Sequence, residues 1–274
     1  MIAISDLGGL WQRSLIVRPD GTRDTSTWVA WLQGPVFFAD LRIPAERPSF
    51  SGVQCRDDLT PEHVRWLAGQ EGFAGRLLTD GPCVLWQRDL DLQPTTQLGD
   101  AGRLRMEGNI MIEEGRDVPY VEHWWHDARS IQPHGAARLA DTQGQCGGYI
   151  IRAGERFMFA RSRTGKPMLA DRTLMECVET SQSVAAARDL IDTEISFGRV
   201  TPDSWTITRS SLPYREGVAN LAPAYDTDAD NWREATLRTR DVTSDGRLAV
   251  RRWTILESEG QLFAPSPAGT SAAV

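Results

Sequence analysis

The stretch from Val118 to Asp127 concentrates the side chains that could carry out acid–base chemistry. It reads Val-Pro-Tyr-Val-Glu-His-Trp-Trp-His-Asp and holds two of the four histidines and two of the ten tryptophans in the chain. Its aromatic and β-branched residues favour a strand over a helix. Because strand side chains alternate between two faces, one face would carry Tyr120, Glu122, Trp124 and His126.

Glu122 is the predicted catalytic acid or base. Among aromatic side chains inside a barrel its carboxyl would be desolvated, its pKa would rise toward neutrality, and it could transfer a proton. His126 or His123 would assist Glu122, and Tyr120 would donate a hydrogen bond to the substrate. The alternative is that Glu122 pairs with an arginine on the outside of the barrel.

Asp40 and Arg42 extend this candidate site. They share the mixed face of a predicted strand over 36–43 with Phe38. The opposite, apolar face consists of Phe37, Ala39, Leu41 and Ile43. If the mixed face lines a barrel, Arg42 would bind a carboxylate or oxyanion, and Asp40 would orient or deprotonate the substrate. Alternatively, the two charges pair with each other in solvent.

The other predicted substrate-binding residues are aromatic or acidic. Glu113 comes from the adjoining strand and is a cross-strand neighbour of Glu122. Trp124, Trp28 and Phe38 would form flat apolar walls, as in barrels that enclose apolar ligands.

Neither a metal ion nor a cofactor is predicted. His123 and His126 point to opposite faces of a strand, so they cannot both bind one ion without a bulge. The four cysteines are far apart and form no Cys-x-x-Cys pair. The chain also lacks a phosphate-binding loop, a G-x-G-x-x-G sequence and a G-x-S-x-G sequence.

The elements that must position these residues are mostly strands. Turn residues such as Pro19-Asp20-Gly21 separate about fourteen short strand patterns, and Asp-Gly is typical of turns between antiparallel strands. Helices are predicted over 60–70, after the N-cap Thr60 and Pro61, and over 171–191. The sequence therefore predicts an all-β protein with one or more antiparallel barrels and two peripheral helices.

The first strand supplies a family resemblance. Gly9-Leu10-Trp11 resembles the Gly-x-Trp signature of the lipocalin-like calycin superfamily. The resemblance implies a barrel whose floor is closed by the Trp11 indole. In that family a basic side chain on the last strand covers the tryptophan, and here it would be Arg251 or Arg252.

A shorter similarity covers Glu122-His123-Trp124 and the Glu114-Gly115 turn upstream of it. These residues are similar to a small family of fungal cytosolic barrel proteins known as partners of a casein-kinase homologue.

The length of 274 residues leaves the number of barrels open. Residues 1–127 would form one barrel or the first half of one, and residues 128–260 a second barrel or the second half. Residues 261–274 are rich in Pro, Ala, Ser and Gly, which predicts a flexible tail.

Composition excludes some partners. The net charge of −7, with no local excess of Lys and Arg along the sequence, argues against a nucleic-acid binder. No apolar run is long enough to span a membrane, and the first nine residues do not resemble a secretory signal. We expect a cytoplasmic protein with a small organic ligand, and the sequence leaves open whether it forms a homodimer.

The leading functional hypothesis is a barrel that binds a small, partly apolar or aromatic organic molecule in its cavity. It would convert this molecule by cofactor-independent acid–base chemistry, as a lyase, isomerase or hydratase does. Two alternatives stay open: a non-catalytic carrier of a hydrophobic ligand, and a protein-interaction barrel whose interior is filled by side chains.

Overall fold

The computed structural model confirms an all-β chain built from antiparallel sheets. It describes residues 2–94, 99–129, 131–164, 172–221 and 236–263. Strands between Gly9 and Asp127 form the first sheet, and strands between His134 and Gly260 form the second. Each sheet curls into a barrel, so the chain forms two barrels rather than one enlarged barrel.

The first barrel closes on itself. Its strands are β1 (Gly9–Val17), β2 (Arg23–Asp24), β3 (Trp28–Gln33), β4 (Phe37–Ile43), β5 (Glu71–Asp80), β6 (Cys83–Asp91), β7 (Asp100–Glu107), β8 (Ile110–Gly115) and β9 (Val121–Asp127). They follow one another around the sheet, with β2 attached to the outer edge of β1. Pairing of β1 with β9 joins the two ends, with Trp11 opposite His126 and Ile16 opposite Glu122.

The second barrel is nearly closed. Its strands are β10 (His134–Asp141), β11 (Gly147–Ala153), β12 (Arg156–Arg161), β13 (Glu194–Val200), β14 (Trp205–Ser210), β15 (Ala219–Leu221), β16 (Thr236–Val242) and β17 (Leu248–Gly260). The sheet runs from β15 through β14, β13, β12, β11, β10 and β17 to β16. The edge strands β15 and β16 lie next to each other, which brings the two ends of the sheet together.

Three α-helices pack together in a separate apolar cluster. They are α1 (Pro61–Ala68), α2 (Leu174–Glu179) and α3 (Val184–Leu190), and short 3-10 turns span Ile4–Leu7, Arg56–Asp58 and Pro213–Arg215. In place of the single helix predicted over 171–191, the chain forms the two helices α2 and α3. The hydroxyls of Thr180 and Ser181 bond back to carbonyls of α2, and Ser183 caps the start of α3. No helix in the described residues has the length and apolarity to cross a bilayer.

Both faces of β4 are buried. Phe38, Asp40 and Arg42 point into the first barrel, as strand alternation predicts for its mixed face. The apolar face packs against the second barrel in a shared core. That core includes Leu32, Phe37, Leu41 and Ile43 from the first barrel, and Ala136, Tyr149, Ile151, Met158 and Ile195 from the second.

Two glutamates of β17 reach across to the first barrel. Glu259 Oε1 accepts hydrogen bonds from the backbone N–H groups of Val36 (2.9 Å) and Phe37 (2.7 Å). Glu257 forms an ion pair with Arg76 of β5. These polar contacts lie at the border of the apolar core and set the orientation of one barrel against the other.

Trp11 of the Gly-x-Trp sequence lies inside the first barrel, and its ring is covered by a different side chain from the one expected. Its indole stacks on His126 of β9, with ring centroids 4.5 Å apart. Arg251 lies over a tryptophan of its own strand in the second barrel, and Arg252 belongs to the same strand. The last strand of the chain does not close the first barrel, so neither arginine covers Trp11.

The flexible tail predicted over 261–274 falls mostly outside the described residues, which end at Phe263. Its first residues are packed, because Leu262 is 5% exposed and contacts the apolar interior of the second barrel.

Replacing Glu259 with alanine tests the polar contact between the barrels. Glu259→Ala is expected to lower the free energy of unfolding by about 2–3 kcal/mol, because two backbone N–H groups would lose a charged acceptor. Urea unfolding followed by tryptophan fluorescence measures this change. Glu155→Ala is the matched control: Glu155 is 61% exposed and pairs with Arg199 at the surface, so about 0–1 kcal/mol is expected. Equal losses in the two variants would contradict the role assigned to Glu259.

Candidate functional site

The predicted acid–base residues meet inside the first barrel. Glu122 comes from β9, Glu113 from β8, and Asp40 and Arg42 from β4. Arg13 of β1 joins them. These five residues, the charged layer, lie side by side in the barrel, and each of the three carboxyl residues is at most 3% exposed.

Glu122 is bound by two arginines. Its Oε1 accepts a hydrogen bond from Arg13 Nη1 at 2.5 Å and lies 3.7 Å from Arg42 Nη1. The Glu122 carboxylate thus faces the barrel interior, as the catalytic hypothesis requires. It also pairs with arginine, as the alternative expected, but it does so inside the barrel and not on its outer surface. With two guanidiniums in contact, this carboxylate has bound counter-charges instead of a face open to a substrate.

Asp40 and Arg42 form a pair inside the barrel and not in solvent. Asp40 Oδ1 accepts a hydrogen bond from Arg42 Nε at 2.8 Å. Burial raises the pKa of Asp40 to about 6, since desolvation of its carboxylate outweighs the attraction of Arg42. Arg42 therefore binds Asp40 and contacts Glu122 inside the protein. From its sequence position it was expected to bind a substrate oxyanion.

Glu113 is held by neutral donors. Its Oε1 accepts a hydrogen bond from the Tyr120 hydroxyl (2.6 Å), and its Oε2 accepts one from Trp124 Nε1 (3.0 Å). Burial and the negative charge of Glu122 raise the pKa of Glu113 well above its usual range. The charged layer holds three carboxyl groups and two guanidiniums, so it takes up a proton more readily than a carboxyl in water does.

The space beside the charged layer is very small. The cavity bordered by Asp40, Arg42, Glu113 and Trp124 has a volume of about 10 Å³, which holds at most one water molecule. Aromatic rings fill the surrounding interior, among them Trp31, Phe73 and Trp86. The space bordered by these residues is therefore too small for an organic ligand.

The two histidines of β9 lie away from Glu122. His126 stacks on Trp11, and its Nε2 is 3.1 Å from the carbonyl oxygen of Gly8. Burial lowers the pKa of His126. His123 is on the opposite face of the strand. Within the described residues neither imidazole is hydrogen-bonded to Glu122, so the geometry does not support their helper role.

The predicted aromatic walls are divided between two cores. Phe38 and Trp124 point into the first barrel and are almost completely buried. Trp28 lies on the other face of β3, edge-on to Phe197 of the second barrel with ring centroids 5.5 Å apart. Trp28 therefore belongs to the contact between the barrels and does not border the same space as Glu122.

Two members of this network were missed by the sequence analysis. Arg13 follows Trp11 with the spacing of one strand face, and that spacing was the available signal. Asp100 Oδ1 accepts a hydrogen bond from the Tyr120 hydroxyl at 3.3 Å, and its Oδ2 accepts one from Arg88 at 2.5 Å. Asp100 is the first residue of β7 and directly follows a polar connection, so no local pattern places its side chain in the barrel.

A much larger cavity, the interbarrel cleft, lies between β6 of the first barrel and β10 and β11 of the second. Its volume of about 720 Å³ is within the range of roughly 300–1,000 Å³ typical of small-molecule sites. It is lined by Asp89, Leu90, Asp91, Gln93, Pro94, Arg138, Leu139, Ala140, Gly144, Gln145, Cys146, Gly147, Gly148, Tyr149, Ser162, Arg163, Thr193 and Leu256.

Polar contacts hold both walls of the cleft in place. The Tyr149 hydroxyl donates a hydrogen bond to Asp89 Oδ2 at 2.5 Å, which joins the second barrel to the first. Arg138 Nε and Nη2 both donate to Glu257 Oε1, at 3.0 and 2.6 Å. Burial and the contact with Asp89 raise the pKa of Tyr149, so its phenol stays protonated at neutral pH. Sequence reasoning had no signal for this site, because its residues come from separate strands.

Arg163 adds a second guanidinium to the cleft. Its Nη2 donates to the carbonyl oxygen of Leu92 at 2.7 Å, and its Nε donates to Thr193 Oγ1 at 2.9 Å. Burial lowers the pKa of Arg163. Among the described residues no group of three or more His, Cys, Asp or Glu side chains is arranged to hold a metal ion.

Comparison with known proteins identifies a structural relative. No protein-family model matches the chain, and neither does any curated protein. Among solved structures, the uncharacterized protein YLR301w from Saccharomyces cerevisiae is similar, with a TM-score of 0.53 and 14% sequence identity. The match covers 92% of this chain and 99% of that chain. At this identity the similarity shows a shared fold alone.

Removing the positive charge of Arg13 tests how firmly Glu122 is tied into the barrel. Arg13→Met is expected to lower the free energy of unfolding by about 3–5 kcal/mol, because it leaves a buried carboxylate without its nearest partner. Urea unfolding at pH 7 measures the loss. The double variant Arg13→Met, Glu122→Gln should recover part of the stability. Arg199→Met, at a surface pair, is the control, and a loss no larger than in that control would refute the buried pair.

The raised pKa of Asp40 predicts a pH dependence. A carboxyl whose pKa is about 6 when folded and about 3.9 when unfolded stabilises the fold at low pH. This contribution is lost as the pH rises through the folded value. Between pH 4 and pH 7 the wild-type unfolding free energy should fall by roughly 2 kcal/mol relative to that of Asp40→Asn. Parallel stability curves for the two proteins would show that Asp40 has an ordinary pKa.

Proposed function

We propose that the protein binds a small, partly apolar organic anion in the interbarrel cleft. The observation that carries this proposal is the volume of about 720 Å³, bordered by aliphatic side chains together with the guanidiniums of Arg138 and Arg163. The cavity in the charged layer, at about 10 Å³, is far too small for such a molecule. The proposed site is thus between the barrels and not in the barrel lumen where the sequence analysis placed it.

The lining suggests how the ligand is held. Leu256, which is 42% exposed, offers apolar surface, whose burial against a ligand contributes about 25 cal/mol per Å². Arg138 bonds to Glu257 through Nε and Nη2, and its Nη1 is the nitrogen that can donate to a ligand carboxylate. The Tyr149 hydroxyl donates a hydrogen bond to Asp89, and its oxygen can accept a hydrogen bond from the ligand.

The proposal is for binding without chemical conversion. Acid–base catalysis by Glu122 requires a substrate atom within hydrogen-bonding distance of its carboxylate. Arg13 and Arg42 occupy that position. In the cleft, the Tyr149 phenol already donates to Asp89, and its raised pKa keeps it protonated at neutral pH, so it does not serve as a general base. The geometry therefore favours a carrier or ligand sensor over a lyase, isomerase or hydratase.

The lipocalin-like resemblance and the cytoplasmic location remain parts of the proposal. Trp11 supports the resemblance, because it lies near the start of the first strand and packs inside a closed barrel, as the Gly-x-Trp signature implies. Four free cysteines, three of them buried, are in keeping with a reducing compartment.

Filling the cleft tests the proposal. The probe is 8-anilinonaphthalene-1-sulfonate, a partly apolar anion that fluoresces when it leaves water. It should bind the folded wild-type protein, and Ala140→Trp should weaken binding at least about tenfold, because Ala140 lines the cleft. Ala45→Trp is the matched control, since Ala45 is exposed and outside the cleft, and its affinity should equal that of the wild type.

Native mass spectrometry of the purified protein provides a second readout. A copurifying small molecule should be present on the wild type and on Ala45→Trp, and be lost from Ala140→Trp. Probe binding that is equal in all three proteins would place the site elsewhere and overturn the proposal.

A further inference from the structure

The hairpin of β16 and β17 carries a cluster of arginines on its outer face. Arg238 lies directly opposite Arg252, and Arg240 lies opposite Val250. All three arginines are exposed, while the residues that alternate with them point into the second barrel. Along the sequence these arginines are separated by a turn, and antiparallel pairing brings them together. This is how a chain with a net charge of −7 acquires a strongly basic surface.

The same face carries exposed aliphatic side chains. Leu248 is 78% exposed and Val250 is 62% exposed, the two highest values among the exposed large hydrophobic residues of the described chain. Leu248 lies opposite Val242 in the register, so these side chains continue the row that begins with the arginines. Apolar groups this exposed, next to charged ones, are typical of surfaces that bind other proteins.

Two arginines of this face, Arg240 and Arg252, are exposed to solvent. Within the described residues Arg240 and Arg252 form no ion pair with a carboxylate. An anionic partner would gain charge-assisted hydrogen bonds to these two guanidinium groups.

A groove runs beside the cluster. It has a volume of about 430 Å³, and Val250 and Arg252 form part of its wall. Thr142, Gln143 and Gln145 supply hydroxyl and amide groups. Asp141 and Asp241 also line the groove, and the charges of both are paired with Arg251. A groove with such hydrogen-bonding groups can bind the backbone of an extended peptide.

We propose that this hairpin face, made of Arg238, Arg240, Leu248, Val250 and Arg252 with its adjacent groove, docks an acidic segment of a partner protein that also carries aliphatic side chains. The charges complement carboxylates, and Leu248 and Val250 complement aliphatic groups. A nucleic acid fits less well, because single strands bind to aromatic side chains on which bases stack, and this face has none. This surface is separate from ligand binding in the cleft and does not depend on it.

A peptide selection tests the proposal. A random twelve-residue display library is panned on the full-length protein, with counter-selection on the variant Arg240→Glu, Arg252→Glu. The enriched peptides should be rich in Asp and Glu interspersed with Leu, Ile or Val. Binding of one enriched peptide, measured by fluorescence anisotropy, should weaken at least about tenfold between 50 and 300 mM NaCl, because salt screens surface charges.

Matched variants show whether the binding involves this face. Arg240→Glu, Arg252→Glu and, separately, Leu248→Ser, Val250→Ser should each weaken the selected peptide at least about tenfold, with unchanged thermal unfolding. Arg105→Glu, Arg199→Glu carries the same charge change on exposed strand positions elsewhere and should bind as the wild type does. Enriched peptides without acidic residues, equal binding by all variants, or tighter binding of a single-stranded oligonucleotide than of any peptide would each overturn the proposal.

Discussion

The need to bury both faces of β4 is the constraint on which the rest of the structure depends. Its apolar face can leave water only against a second layer, and the second barrel supplies that layer. Its mixed face then turns inward and takes Asp40 and Arg42 into the first barrel. Charges in such a place are costly unless they are paired, so Arg13 and Glu122 accompany them. The two-barrel architecture and the charged layer thus have a common origin.

Within the first barrel the charged layer gives specificity more clearly than stability. A shift of β4 by one residue would exchange its faces and place Asp40 and Arg42 in the apolar core between the barrels. The hydrogen bonds from Arg13 to Glu122 and from Arg42 to Asp40 exist only in the observed register. Burial in this layer raises the pKa of Asp40, so the same packing that selects the register also makes the fold sensitive to pH.

Function in this molecule is better sought around the barrels than inside them. The space beside the charged layer is about 10 Å³, whereas the cleft between the barrels is much larger and the outer face of the β16–β17 hairpin is exposed. The cleft offers a ligand-sized volume, and the hairpin offers charge together with exposed aliphatic groups. A fold shared with an uncharacterized yeast protein does not select between such sites, because function depends on the groups placed on a fold.

Local sequence was sufficient for the strands, the antiparallel turns, the cap of α1 at Thr60 and the placing of Glu122 and Trp124 on one strand face. These features depend on neighbours in the chain, and strand alternation or capping chemistry reveals them directly. Tertiary contacts bring Arg13 to Glu122 and turn Trp28 toward the other barrel, and they leave a cleft between the barrels that is much larger than the space beside the charged layer. Such outcomes depend on which distant strands lie opposite one another and on how side-chain volumes add up, and no local pattern records either quantity.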